Sequence, residues 1–227
     1  MAIPDGDARK LAVVLRLGEG DALTVVDSAA RSYSATLARR ADGWAARLDA
    51  DETIPLPCEL EIVLAQGVPK GAKMDFVVEK ATELGIARIV PFTSAHSVTA
   101  DARAGKVERW RRLAETAARQ CGRVDVPGVT EPCPFAAMLA MIGGCDRAIV
   151  AWEATEPAAL RERLPELLAG VRSVAIVVGP EGGLSHAEAD LATAAGATLV
   201  SLGRRILRTE TAGLVTIAAL RYAAGDL

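Results

Sequence analysis

The spacing of apolar positions changes partway along this chain. Over residues 1–66 they fall in short runs, Leu11–Leu17, Ala22–Ser28, Arg31–Arg39 and Trp44–Leu48, separated by Gly18-Glu19-Gly20-Asp21 and Ala41-Asp42-Gly43. Strand-like runs of this length, with glycine and aspartate at the turns, predict a small antiparallel barrel or sandwich. From Leu60 onward, apolar strands alternate with stretches of helical periodicity, which predicts an α/β domain built on a parallel sheet. Leu60–Ala65 reads as the last strand of the first domain and Gln66-Gly67-Val68-Pro69-Lys70-Gly71 as the crossing. The expected boundary is therefore residue 67, with a barrel over 1–66 and an α/β domain over 67–227.

Within the second domain Met74, Val77, Val78, Ala81 and Leu84 recur at helical spacing, and Gly85 stops the helix. A strand over 86–91 and a polar loop over 92–98 follow, the loop containing His96. A helix over 107–121 places Val107, Trp110, Leu113, Ala114, Ala117 and Cys121 on its apolar side, with Arg109, Arg111, Arg112 and Arg119 elsewhere and Arg123 just beyond. Arg147–Trp152 reads as the next strand. Thr155 and Pro157 then suit the start of a helix that Pro165 is expected to divide.

The last third carries the densest signals. Ser173–Val178 has no polar alternation, the habit of a strand covered on both faces. Gly179-Pro180-Glu181-Gly182-Gly183 follows at once, where glycines let a ligand approach the backbone and where open α/β sheets bind ligands. Ser185 and Glu188 form a capping box that starts a helix, with His186 in its first turn. Ala197–Leu202 predicts a strand, and Gly203–Ala212 leads into a final helix ending near Ala224. Thr209 is the expected N-cap of that helix, and Glu210 suits its positive end.

Composition narrows the class. The chain has 227 residues, of which 51% are hydrophobic and 24% charged, which excludes a disordered tail. No apolar run is long enough to span a membrane and the first residues carry no signal-peptide pattern, so a cytoplasmic protein is expected. Cys58, Cys121, Cys133 and Cys145 are widely spaced and only two histidines accompany them, which argues against a metal site or a disulfide framework. The net charge is −3, but the basic residues concentrate in the middle. Residues 67–125 hold 11 basic and 7 acidic side chains, against 7 and 11 in residues 1–66 and 8 and 11 in residues 126–227. A basic centre fits phosphate contact, and Arg109, Arg112 and Arg123 are the candidates for RNA binding.

Three blocks carry a family resemblance: Gly179-Pro180-Glu181-Gly182-Gly183, the tail Leu202-Gly203-x-Arg205-Ile206-Leu207-Arg208-Thr209-Glu210-Thr211-Ala212, and Lys80-Ala81-Thr82-Glu83-Leu84-Gly85. Together they resemble the SPOUT class of RNA methyltransferases, and within it the bacterial 16S ribosomal RNA uracil-N3 methyltransferases. Gln120, Arg123 and Pro127 are similar to a further family pattern, whereas His96 stands where the family usually has arginine. The resemblance implies a parallel-sheet domain with a trefoil knot, preceded by a PUA-like β-barrel that helps hold RNA. Family members usually begin with a further segment before the stretch matching Leu11–Leu17, which implies a barrel with a strand fewer here.

The resemblance also implies a site and a reaction. S-adenosyl-L-methionine would be held by Trp152, Gly179, Pro180, Glu181, Gly182, Leu202, Gly203, Ile206, Leu207, Thr211 and Ala212, without a metal, in a homodimer acting on 16S rRNA or the small ribosomal subunit. N3 of uracil carries a proton and is a poor nucleophile until that proton is lost. Glu210 is the expected base, with Glu181 as competitor, and Arg208 would stabilise the developing charge. Two other readings remain at this point: a non-catalytic RNA-binding or ribosome-assembly protein, and an NADP-dependent oxidoreductase. The latter lacks G-x-G-x-x-G and has Gly203-Arg204 where an acidic residue is wanted.

Overall fold

In the computed structural model, which describes residues 2–26, 32–41, 43–51, 60–97, 104–153 and 159–227, the N-terminal apolar runs form an open antiparallel sheet rather than a barrel. Its strands are β1 (Ala22–Val26), β2 (Ser32–Arg40) and β3 (Gly43–Asp51), in the order β1-β2-β3, with a register shift at Ser34/Ala35. Val25, Ala35 and Ala46 bury a small core against Ile3 and Leu23. The expected strand over Leu11–Leu17 is absent. Helix α1 (Asp5–Arg9) runs directly into a π-helical turn, Lys10–Val14, and Leu17 N–H closes back on Leu11 C=O. That run has no polar alternation and no strand beside it, so an already started helix carries on through it, leaving Val13 and Leu15 exposed.

The compact units are Met1–Leu56 and Pro57–Leu227, so the division falls about ten residues before the expected boundary at 67. The reason is β4 (Glu61–Gly67), which pairs in parallel with strands on both sides and is buried from Ile62 to Gln66. A strand with no solvent face belongs inside a parallel sheet, not at the end of an antiparallel one.

From β4 the chain runs through α2 (Lys73–Glu83), β5 (Arg88–Thr93), α3 (Ala104–Cys121), β6 (Gly128–Val129), β7 (Cys133–Pro134), α4 (Phe135–Ile142) and β8 (Arg147–Ala151). It continues through α5 (Leu160–Leu168), β9 (Ser173–Val178), α6 (His186–Ala194), β10 (Thr198–Val200) and α7 (Thr209–Ala223). The described strands form one parallel sheet in the order β10-β8-β9-β4-β5-β6, with β7 also on β5. Alternate residues of β9 divide between its faces. Val174, Ile176 and Val178 pack with α2, α3, α5 and α7, while Ala175 and Val177 pack with α4 and α6. Pro165 lies inside α5 instead of dividing it, because only one helical hydrogen bond is forfeited while Leu160 and Leu167 stay buried on the core. Cys58, Thr155 and Pro157 lie outside the described residues.

β4 leads to β5 on one side and β9 leads to β10 on the other, so the chain reverses direction between two adjacent parallel strands. Ligands bind beyond the carboxyl ends of strands at such a point.

Candidate active site

The loop leaving β9 and the loop leaving β4 meet at that reversal. A Cβ on Gly67 would lie 2.5 Å from Pro180 N, and one on Gly182 would lie 2.8 Å from His96 Cβ, so close approach of the neighbouring segment requires glycine at both places. His96 Nδ1 is 3.0 Å from Gly182 C=O, which ties the loop after β5 to the same turn. The predicted capping box is formed. Ser185 Oγ accepts from Glu188 N–H at 3.2 Å, and Glu188 Oε2 accepts from Ser185 N–H at 2.8 Å. Glu188 Oε1 also accepts from Ala95 N–H at 2.9 Å.

The third wall is the stretch between β10 and α7. Trp152 N–H donates to Val200 C=O at 3.0 Å and Leu160 N–H to Ser201 C=O at 2.9 Å, so both arms of the loop after β8 hold the exit of β10. The chain then reaches the centre of the sheet, where Thr209 Oγ1 donates to Gly179 C=O at 2.5 Å and accepts from Gln66 Nε2 at 2.9 Å. Arg208, not Thr209, occupies the N-cap position of α7. The threonine hydroxyl is spent on the neighbouring loop, a partner that local sequence cannot reveal.

These walls enclose a cavity of about 460 Å³. Trp152, Gly179, Pro180, Glu181, Leu202, Gly203, Ile206, Leu207 and Ala212 line it together with Arg208. Gly182, Thr211 and Glu210 of the expected set are not in its wall. Lys73, Glu153, Ser201, Arg204 and Arg205 line it without having been expected. Ile206 is 84% exposed at the rim, whereas Leu207 packs on the core.

Lys73 connects the two carboxylates. Its Nζ is 2.9 Å from Glu181 Oε1 and 3.4 Å from Glu210 Oε2, while Arg208 approaches Glu210 only to 3.9 Å and is 81% exposed. Burial pushes the Glu181 carboxyl up, but the Lys73 ammonium and the backbone N–H groups of Glu181 and Lys70 outweigh it, so Glu181 is held below the ordinary carboxylate range. A carboxylate with its lone pairs so occupied is a poor proton acceptor. Sequence did contain a signal for Lys73. A cation in the first turn of a helix opposes the macrodipole, and such a residue calls for a reason outside its own helix.

The three candidate RNA-binding arginines part company. Arg123 is 11% exposed and bonded to Thr82 C=O at 2.8 Å and to Asp125 at 2.6 Å. Arg109 pairs with Asp75 at 2.7 Å but stays 65% exposed. Arg112 is exposed and has no ion-pair partner among the described residues, as is also true of Arg204 and Arg205. Lys80 is neutralised by Glu79 and Glu83, whose hydrogen bonds push its ammonium up to about 12.

A parallel sheet with a cavity at its reversal point, closed by the stretch before the last helix, places the molecule in the SPOUT class of methyltransferases. The chain belongs to the family described as the RNA methyltransferase domain, whose model matches residues 56–221. It is 38% identical over 170 residues to Ribosomal RNA small subunit methyltransferase E of Bacillus subtilis, covering 72% of this chain and 66% of that one. Its counterpart in Mycobacterium bovis is 30% identical over 231 residues, covering 97% and 86%. A crystal structure of the Neisseria gonorrhoeae methyltransferase E bound to S-adenosyl methionine superposes with a TM-score of 0.83 at 30% identity, covering 97% of this chain and 90% of that one. A methyltransferase from Legionella pneumophila in complex with the same cofactor gives 0.81 at 27%, covering 97% and 90%.

Proposed function

We propose that this protein transfers a methyl group from S-adenosyl-L-methionine to N3 of a specific uridine in the 16S ribosomal RNA of the small subunit. The observation that carries the reading is the cavity between the β9 loop and residues 201–209, in a fold shared with a relative bound to that cofactor. The cavity falls within the roughly 300–1,000 Å³ of small-molecule sites. Leu202, Ile206, Leu207 and Ala212 offer apolar contact, and the glycines of the β9 loop and Gly203 leave backbone groups accessible.

S-adenosylmethionine supplies a methyl carbon already activated by a positive sulfur. The chain's own work is to hold the uracil in line and to remove its N3 proton. Glu210, in the first turn of α7 and 15% exposed, is the proton acceptor, with Arg208 beside it to stabilise charge on the uracil oxygens. Glu181, committed to Lys70 and Lys73, serves as an anchor. The fixation of the β10 exit by both arms of the β8 loop supports a threaded, knotted chain. Val215 and Tyr222 remain exposed on α7 and suit a homodimer interface, and 16S rRNA as substrate fits a cytoplasmic setting. RNA contact is assigned to Arg112 and Arg109 on α3, with Arg123 supporting the helix. Residues 1–56 are given no main share of the RNA contact, since acidic side chains outnumber basic ones over 1–66.

The test is methyl transfer by purified protein from labelled S-adenosylmethionine to small subunits. Primer extension over the product should stop at one uridine, because an N3-methyl blocks pairing. Tight RNA binding with no transfer would favour the ribosome-assembly reading instead.

A further inference from the structure

We propose that Lys73 is a positioning residue of this site: its ammonium holds the Glu210 carboxylate fixed between the β9 loop and the head of α7. The inference rests on the methyltransferase reading with Glu210 as proton acceptor. Four observations converge on it. Lys73 opens α2 where a cation opposes the helix dipole, so its own helix does not account for it. It reaches carboxylates on two other segments, Glu181 at 2.9 Å and Glu210 at 3.4 Å. Glu210 Oε2 is buried with no hydrogen-bond partner among the described residues, where Lys73 is the closest positive charge to it. Lys73 also lines the cavity, which Glu210 does not, so the lysine joins that carboxylate to the cavity wall.

A carboxylate oxygen that no hydrogen bond holds is free to turn, and a misplaced Glu210 cannot reach the N3 proton. The other charged groups around it do not replace Lys73. Arg208 is 3.9 Å away and 81% exposed, Glu181 adds negative charge, and the Lys70 backbone is occupied with Glu181. Glu181 complements the lysine, because by fixing Lys73 from the far side it keeps the ammonium within reach of Glu210.

The experiment is single-turnover methyl transfer by the full-length wild type, Lys73→Met and Lys73→Arg, each with Glu210 and with Glu210→Gln. With Glu210 present, Lys73→Met should lower the rate about tenfold or more, and Lys73→Arg should restore most of it. In the Glu210→Gln background, where there is no carboxylate to hold, the same Lys73→Met substitution should cost at least several-fold less. Should the Met variant not fold, Lys73→Gln removes the charge and keeps a hydrogen-bond donor. An equal loss in both backgrounds, or no loss in either, overturns the proposal. A wild type that transfers no methyl group overturns the methyltransferase reading instead.

Discussion

The hydroxyl of Thr209 donates to the carbonyl of Gly179 across thirty positions of sequence, joining the first residue of the last helix to the loop that leaves β9. The same oxygen accepts from Gln66, so one side chain ties together three segments that surround the cavity. Thr209→Val keeps the shape and removes both roles. Taking the hydroxyl from the buried Gly179 carbonyl, and leaving the buried Gln66 amide with only Gly67 C=O, should cost about 1–3 kcal/mol of stability. Weaker S-adenosylmethionine binding should accompany it, with Thr209→Ser restoring most of each. Chemical denaturation and calorimetric titration measure the two, and a Val variant indistinguishable from wild type would refute the link.

Gly67 should be as intolerant as its surroundings indicate. A methyl group there meets Pro180 N at 2.5 Å and Gly179 C at 2.8 Å, both backbone atoms. The Cβ forces the β9 loop away from β4, so Gly67→Ala should destabilise by about 1–3 kcal/mol and weaken cofactor binding at least tenfold. Gly105, in the first turn of α3 with open space around it, is the control. Gly105→Ala should be neutral or stabilising by up to about 1 kcal/mol. Equal effects at the two positions would contradict this expectation.

How much of this was legible in the chain depends on how local each signal is. The β9 strand, its glycine loop and the Ser185–Glu188 box are complete within a few residues, and all three form as expected. The same logic applied to Ile62–Gln66, an equally unbroken buried run, would have placed β4 in the parallel sheet and moved the boundary. Leu11–Leu17 misleads because apolar content without alternation does not distinguish strand from helix. The Lys73–Glu181 pair spans 108 positions and has only the dipole mismatch to announce it. Arg123 was singled out for its charge, but its burial against Thr82 and Asp125 exists only in the fold.

Glu210→Gln separates chemistry from binding. The amide keeps the size of the side chain and cannot accept the N3 proton, so turnover should fall by about 10²- to 10⁴-fold while cofactor affinity changes little. Single-turnover methyl transfer and calorimetry on the same preparation decide it. Full turnover by the variant would remove Glu210 from the mechanism.

The arginines offer a contrast that their sequence positions do not. Arg204 and Arg205 stand exposed at the cavity mouth without ion pairs among the described residues, whereas Arg123 is nearly buried. Neutralising Arg204 or Arg205 to Gln should weaken RNA binding uniformly across sequences and reduce the salt slope by about 1 for each phosphate no longer neutralised. Arg123→Met should leave that slope unchanged and lower stability by about 1–3 kcal/mol, through the lost hydrogen bond to the Thr82 carbonyl and the broken Asp125 pair. RNA titrations at several salt concentrations, with melting curves, test both halves. A salt slope changed by Arg123→Met and by neither Arg204→Gln nor Arg205→Gln would place the phosphates at Arg123 instead.

The Lys73–Glu181 pair should leave a recognisable trace in stability against pH. The Glu181 carboxyl is lowered from its ordinary 4.5 in the folded protein, so its stabilisation is complete above that value and is lost as pH falls through the folded one. Lys73 is raised from its ordinary 10.5, chiefly by its hydrogen bond to Glu181, so its contribution is complete below 10.5 and is lost as pH rises through the folded value. Glu181→Gln should therefore melt below wild type across roughly pH 5–10. The two Tm curves should converge as pH falls below 4.5 through the folded Glu181 value, where wild-type Glu181 becomes a neutral acid much like the amide, and narrow again as pH rises above 10.5 through the folded Lys73 value. Scanning fluorimetry over that range tests the sign directly. A gap in Tm that stays constant from pH 3 to pH 7 would mean that shape, not charge, is what Glu181 contributes.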